Sequence, residues 1–162
     1  MSVAAAGLPA SAQKVQDAAR AAGLDIAVTE MAASTRTAED AAAACGCAVG
    51  QIVKSLVFRG AESGKPYLML VSGPNRLNEK AVGEFVGEAL VRPDAAYVRE
   101  VTGFAIGGVP PLGHASPMQV FLDEDLLGFE TVWAAAGTPR AVFAVSPLTL
   151  ARVVKAQAIK VT

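Results

Sequence analysis

Gly107-Gly108-Val109-Pro110-Pro111-Leu112-Gly113-His114 is the stretch of this chain best able to hold a ligand through its main chain. Glycine lets another molecule approach the backbone and proline fixes φ, so such a turn presents N–H and C=O groups in one rigid arrangement. An ordinary tight turn has the same composition, which makes a second signal necessary. It lies upstream, where Gln51-Ile52-Val53-Lys54-Ser55-Leu56-Val57-Phe58 reads as a buried strand with one lysine inside it. Alternation puts Lys54 on the face of Ile52, Leu56 and Phe58. From the pattern alone, Lys54 is either a charge aimed at a ligand or a snorkelling, edge-protecting side chain.

Other chemistry is scarce. The single histidine, His114, rules out a metal site built from two or three imidazoles, and Cys45-Gly46-Cys47 lacks the C-x-x-C spacing of zinc and redox motifs. The two thiols read as small packing residues that stay reduced. His114 reads as a hydrogen-bonded turn residue or a pocket residue. Ser63-Gly64-Lys65 lacks the glycine spacing of a phosphate loop, which argues against nucleotide hydrolysis. A formal net charge of -1 weighs against a broad nucleic-acid surface, so any RNA contact must be local. Lys54, Arg76, Lys80, Arg99 and Arg140 are the candidates by residue type for a small basic rim.

The elements that must position these residues follow from capping and periodicity. Residues 11–22 read as a first helix ending at Gly23, after a flexible stretch over residues 1–10, with 11–162 as a single domain. Residues 25–29 read as a short strand, and Thr37 opens a helix that stops near Gly46. The Lys54 strand and residues 67–71 form a hairpin across 62–65; Gly73-Pro74-Asn75 is a turn, and Asn78 caps a helix through Val86. Short strands are expected at 90–92, 97–101, 118–122, 131–135 and 140–145, then a last helix from Ser146-Pro147 through Lys155. Strands outnumber helices without strict alternation, which argues for α+β with a mixed sheet. The 162 residues, 52% hydrophobic, suffice for one sizeable core, no apolar run is long enough to span a bilayer, and the first seven residues carry no signal-peptide pattern. A cytoplasmic protein with neither a membrane nor DNA as partner is therefore expected.

The Ile52-Val53-Lys54-Ser55-Leu56 core and the Gly107 to Pro111 element, in this order, resemble the YbaK/ProX family of free-standing aminoacyl-tRNA editing domains, related to the insertion domain of prolyl-tRNA synthetases. The resemblance covers nearly the whole chain. A third element, Ala136-Gly137-Thr138-Pro139-Arg140, departs from the YbaK-like pattern in having Val142 where an acid would fall. The resemblance implies a curved, partly barrel-like mixed sheet with flanking helices. It implies trans-editing, the hydrolysis of the ester in tRNA-Pro mischarged with a small amino acid such as cysteine or alanine.

In that reading Lys54, Gly107, Gly108 and Pro111 carry catalysis, while Val109, Pro110, Gly113, His114 and Gly137 bind substrate. No metal or other cofactor is required, because an activated ester needs only a held carbonyl, a placed water and a stabilised oxyanion. The acceptor end of an aminoacyl-tRNA is the implied partner, with prolyl-tRNA synthetase as a second. Two rivals remain: a non-catalytic module that binds aminoacyl-tRNA or a synthetase, and a small-molecule esterase. The second is disfavoured by the absence of a Ser-His-acid arrangement.

Overall fold

The computed structural model describes residues 7–162. Helix α1 (Ala10–Ala21) is followed by β1 (Thr29–Glu30), α2 (Ala38–Cys45), β2 (Ile52–Gly60), β3 (Pro66–Ser72), α3 (Glu79–Val86) and β4 (Leu90–Val91). Then come α4 (Ala95–Thr102), β5 (Gln119–Asp123), β6 (Val132–Ala135), β7 (Ala141–Val145), α5 (Pro147–Val153) and β8 (Gln157–Ile159). The helix starts are chemical: Thr37, Asn78, Asp94 and Ser146 each accept a hydrogen bond from the N–H three residues on. Of the flexible stretch expected over residues 1–10, residues 1–6 lie outside the described residues; Leu8 packs against the core and Ala10 opens α1.

The sheet is mixed, in the order β1-β7-β6-β2-β3-β5-β8, with β4 also pairing with β2. The β2–β3 hairpin is antiparallel from Val53 opposite Ser72 to Arg59 opposite Pro66, while β2–β6, β3–β5 and β5–β8 are parallel. β1 and β8 end the path, so the sheet stays open. β3 is buried on both faces. Leu68 and Leu70 pack with Val15 and Ala19 of α1, and Tyr67, Met69 and Val71 pack with Val82 of α3. That double burial explains why 67–71 reads as an unbroken apolar run.

Two expected strands are different objects. Residues 97–101 belong to α4: Asp94 Oδ1 accepts from the Tyr97 N–H, and Val98 and Thr102, four residues apart, form the buried face. Within 25–29 only Thr29 is in a strand, because the Gln16 amide takes the place of a neighbouring strand. Its Nε2 donates to Ile26 O and its Oε1 accepts from Val28 N. The last strand, β8, has no counterpart in the sequence reading, and α5 stops at Val153, short of Lys155.

Because Asp94 alone supplies the side-chain cap of α4, Asp94→Ala should lower unfolding stability by about 1 kcal/mol. Urea denaturation of both proteins measures it, and an unchanged midpoint would show that packing of Val98, not the cap, fixes this helix.

Candidate functional site

β2 is paired incompletely. On the side away from β3, pairing with β6 ends at Val53 opposite Ala134, and pairing with β4 begins at Arg59 opposite Val91. Residues 54–58 have no strand beside them there. A cavity of about 620 Å³ opens on this gap. Ala38 and Ala41 of α2 form one wall, Val98 of α4 with Ile106, Gly107 and Val109 another, and Trp133, Ala135 and Val142 a third. Arg36, Lys54, Arg76 and Arg92 line it, and among the described residues no carboxylate does, in a chain of net charge -1. Local charge is thus opposite to overall charge, which favours an anionic ligand.

Lys54 reaches this cavity under restraint. Its Nζ donates to Asn75 O at 2.6 Å, and Asn75 Nδ2 in turn donates to Asp123 Oδ2 at 2.8 Å and Asp125 Oδ2 at 2.7 Å. Asp123, 1% exposed, also accepts from the N–H groups of Ser72 (3.0 Å) and Asp125 (3.0 Å). A buried carboxylate thus fixes the turn whose carbonyl holds the ammonium. Burial lowers the Lys54 pKa below the ordinary lysine value; the negative charges of Glu39 and Asp123 oppose this, and Arg76 adds to it.

The glycine-proline loop lies in two layers. Gly107, at φ +101°, and Val109 line the cavity. Gly108, Pro110, Pro111, Gly113 and His114 do not, and neither does Gly137. Gly108 lets two backbones meet: Gly137 N–H donates to Gly108 O at 2.8 Å, and a Cβ on Gly108 would lie 2.7 Å from Thr138 N. Gly137 rests in the same way on α1, where a Cβ would lie 2.6 Å from Ser11 O. Gly113 faces Ala18. His114 Nε2 is 2.7 Å from Pro110 O, and because a carbonyl can only accept, Nε2 carries the proton. Burial is the main cause lowering the His114 pKa; the Pro110 carbonyl opposes it and Lys14 adds to it.

Of the basic residues picked by type, Lys54 and Arg76 reach the cavity and Lys80, Arg99 and Arg140 do not. Arg36 and Arg92 take their place; Arg92 is ion-paired to Glu79 at 2.6 Å. No local signal marks Arg36. Arg92 precedes Pro93 at the end of β4, a pattern that fixes backbone but says nothing of a ligand. Cys45 and Cys47 are half-buried, and burial with the neighbouring Cys47 pushes the Cys45 thiol up to about 11. Neither lines the cavity. No helix among the described residues is long and apolar enough to cross a membrane.

A sequence profile described as "Aminoacyl-tRNA editing domain" matches residues 32–153. The uncharacterized protein YwhH of Bacillus subtilis (strain 168) is 35% identical over 105 residues, which is 65% of this chain and 66%, just under two thirds, of that protein. A crystal structure of a candidate trans-editing enzyme for prolyl-tRNA synthetase superposes with TM-score 0.92 at 52% identity, covering 96% of this chain and 99% of that one. The crystal structure of hypothetical protein APE2540 superposes with TM-score 0.84 at 31% identity, covering 91% and 98%.

The layering of the loop generates two expectations. Gly108→Ala drives a methyl into the backbone of Gly137 and Thr138 and should cost about 1–3 kcal/mol of stability while leaving substrate preference unchanged; a selective change in preference at unaltered melting temperature would place this residue at the ligand after all. The lowered His114 pKa means that the unfolded chain takes up a proton at higher pH than the native one. The stability this contributes is complete above the unfolded value and is lost as pH falls through the native one. The fall in Tm between about pH 7 and pH 5 should therefore be shallower in His114→Gln. Identical slopes would remove His114 from the acid response.

Proposed function

This chain belongs to the aminoacyl-tRNA editing domain family, and from that premise we propose that it is a trans-editing deacylase. Its substrate would be tRNA-Pro mischarged with a small amino acid, cysteine, alanine or similar, met in the cytoplasm with or without prolyl-tRNA synthetase beside it. The observation that carries this reading is one ammonium, Lys54, tethered inside a cation-lined cavity that has no acid in its lining among the described residues. The similarity to a candidate trans-editing enzyme for prolyl-tRNA synthetase supports the choice of tRNA.

In the mechanism, the terminal nucleotide enters past Arg36, Arg76 and Arg92, whose charges face its phosphates. The acyl group lies under Gly107 and Val109, against Trp133, Ala135 and Val142. Water attacks the ester carbonyl, negative charge builds on the carbonyl oxygen, and the bond to the ribose oxygen breaks, that oxygen taking up a proton. Lys54 supplies positive charge where the oxyanion or the adjacent phosphate needs it, and the main chain at Gly107 supplies fixed dipoles. Gly108, Pro110, Pro111, Gly113, His114 and Gly137 act by holding the loop in place. Val142, standing where YbaK-like members have an acid, leaves the floor apolar, which suits alanine's methyl better than a polar side chain. Discrimination of one methylene there is worth only about 1–3 kcal/mol, so exclusion of larger residues is the stronger filter.

An esterase of the Ser-His-acid kind needs a histidine at the chemistry, and His114 is bonded to Pro110 outside the cavity lining. Incubating the protein with a panel of mischarged tRNAs and measuring ester loss separates an editor from a binder. Lys54→Ala should slow deacylation by roughly ten- to a thousandfold with little change in Tm. Wild-type turnover in that variant would take Lys54 out of the mechanism, and tight binding without ester loss by the wild type would leave a binding module.

A further inference from the structure

The register of β2 identifies which main-chain groups face the cavity. Gly60 N–H donates to Lys65 O at 2.9 Å across the hairpin, so Gly60 points its polar groups at β3. In an antiparallel ladder residues alternate in this respect. Phe58, Leu56 and Lys54 therefore also face β3, and Arg59, Val57, Ser55 and Val53 face away from it. Pro66 opposite Arg59 agrees with this, since a proline there has no N–H to offer. Val53 is paired with β6 and Arg59 with β4. Ser55 and Val57 remain, each directing an N–H and a C=O into the gap.

Both neighbouring strands are prevented from closing it. Continuing the β4 register would set Pro93 opposite Val57, and proline cannot donate. β6 turns away at Ala136, whose N–H donates to Ala141 O at 2.8 Å. The side chain of Ser55 is also free: its Oγ is buried and, among the described residues, is the one such side-chain atom without a hydrogen-bond partner. Ser55 and Val57 both line the cavity. Buried polar side-chain atoms are nearly always paired, so the unpartnered Ser55 Oγ, with the unengaged main-chain donors and acceptors beside it, marks a place where something else completes the ladder.

We infer that the open edge of β2 at Ser55 and Val57 binds the aminoacyl group as a one-residue strand, and so requires a substrate with a free α-amino group. The inference rests on the deacylase reading and adds a substrate class to it. An aminoacyl ester has the polar groups of one strand residue, a nitrogen that donates and a carbonyl that accepts. The edge carbonyls take the α-ammonium, the edge N–H groups take the acyl carbonyl oxygen, and Ser55 Oγ lies beside them. The gap is closed at one end by β6 and at the other by β4, which leaves no passage for a peptide running through. An N-acylated or peptidyl group would lose the charge at nitrogen and extend into one of those closed ends.

The test compares alanyl-tRNA with N-acetyl-alanyl-tRNA on the wild-type protein under single-turnover conditions. Each rate is divided by that ester's uncatalysed hydrolysis rate, because acetylation also removes the inductive activation by the α-ammonium. So normalised, acetylation should lower kcat/KM by roughly ten- to a hundredfold, the effect of losing charge-assisted hydrogen bonds at the edge. In parallel, adenosine carrying alanine through a non-hydrolysable 3′-amide is added, and hydrogen exchange at the Ser55 and Val57 amides is followed by NMR. Both amides should become protected, and the analogue lacking the α-amino group should protect them less. Ser55→Ala should lower kcat/KM severalfold at unchanged Tm. Equal rates on free and acetylated alanyl-tRNA after that normalisation, or exchange at Ser55 and Val57 unaltered by the analogue, would overturn the inference while leaving the deacylase reading intact. Protection by the analogue with no hydrolysis of either tRNA would support the edge site and overturn the deacylase reading.

Discussion

A central strand that is left unpaired in its middle is the constraint on which this molecule turns. β2 is bonded along its length to β3, yet residues 54–58 have no strand on the other side. Each main-chain hydrogen bond left unmade forfeits about 0.5–1.5 kcal/mol, so such a gap closes unless the neighbours are prevented from closing it. Here Pro93 cannot donate, and β6 is drawn off into a hairpin with β7. The doubly buried β3 keeps the strand extended regardless. The cavity therefore begins with strand pairing, and the small residues of its walls, Ala38, Ala41, Gly107 and Ala135, add to the space.

Around the gap, positioning is done in layers. The loop wall rests on the 137–138 turn, which rests on the first turn of α1, backbone upon backbone, with glycine at both contacts. α1 thus holds the loop without contributing a residue to the cavity lining. On the other side Asp123 gathers three N–H donors and fixes Asn75, whose carbonyl restrains Lys54. A charge inside an apolar strand is tolerable because its ammonium ends on a carbonyl at the cavity and does not face the core.

Much of this was legible in the chain. The lysine in an otherwise apolar strand, the dense glycine-proline run, the hairpin across 62–65, the caps at Thr37, Asn78 and Ser146 and the mixed α+β character all follow from local patterns, because caps, turns and alternation act within a few residues. Misreadings came where distant groups replace local ones. The 97–101 run has apolar spacing compatible with either period, and the Asp94 cap with burial of Val98 and Thr102 decides for helix. Residues 25–28 look like strand, but a glutamine side chain from α1 takes the partner's place.

The sequence by itself determined which residue types are present for chemistry: one lysine in a strand, one histidine, no metal-binding spacing and a loop rich in bare backbone. Only the tertiary structure decided which of them meet. It set Gly107 and Val109 in the cavity and Gly108, Gly137 and His114 behind it, brought Arg36 and Arg92 to the rim in place of Lys80, Arg99 and Arg140, and joined Asp123 to Lys54 through Asn75. The physical reason is that main-chain hydrogen bonds between strands distant in sequence fix register, and register fixes which polar groups are left over. No local pattern carries that information.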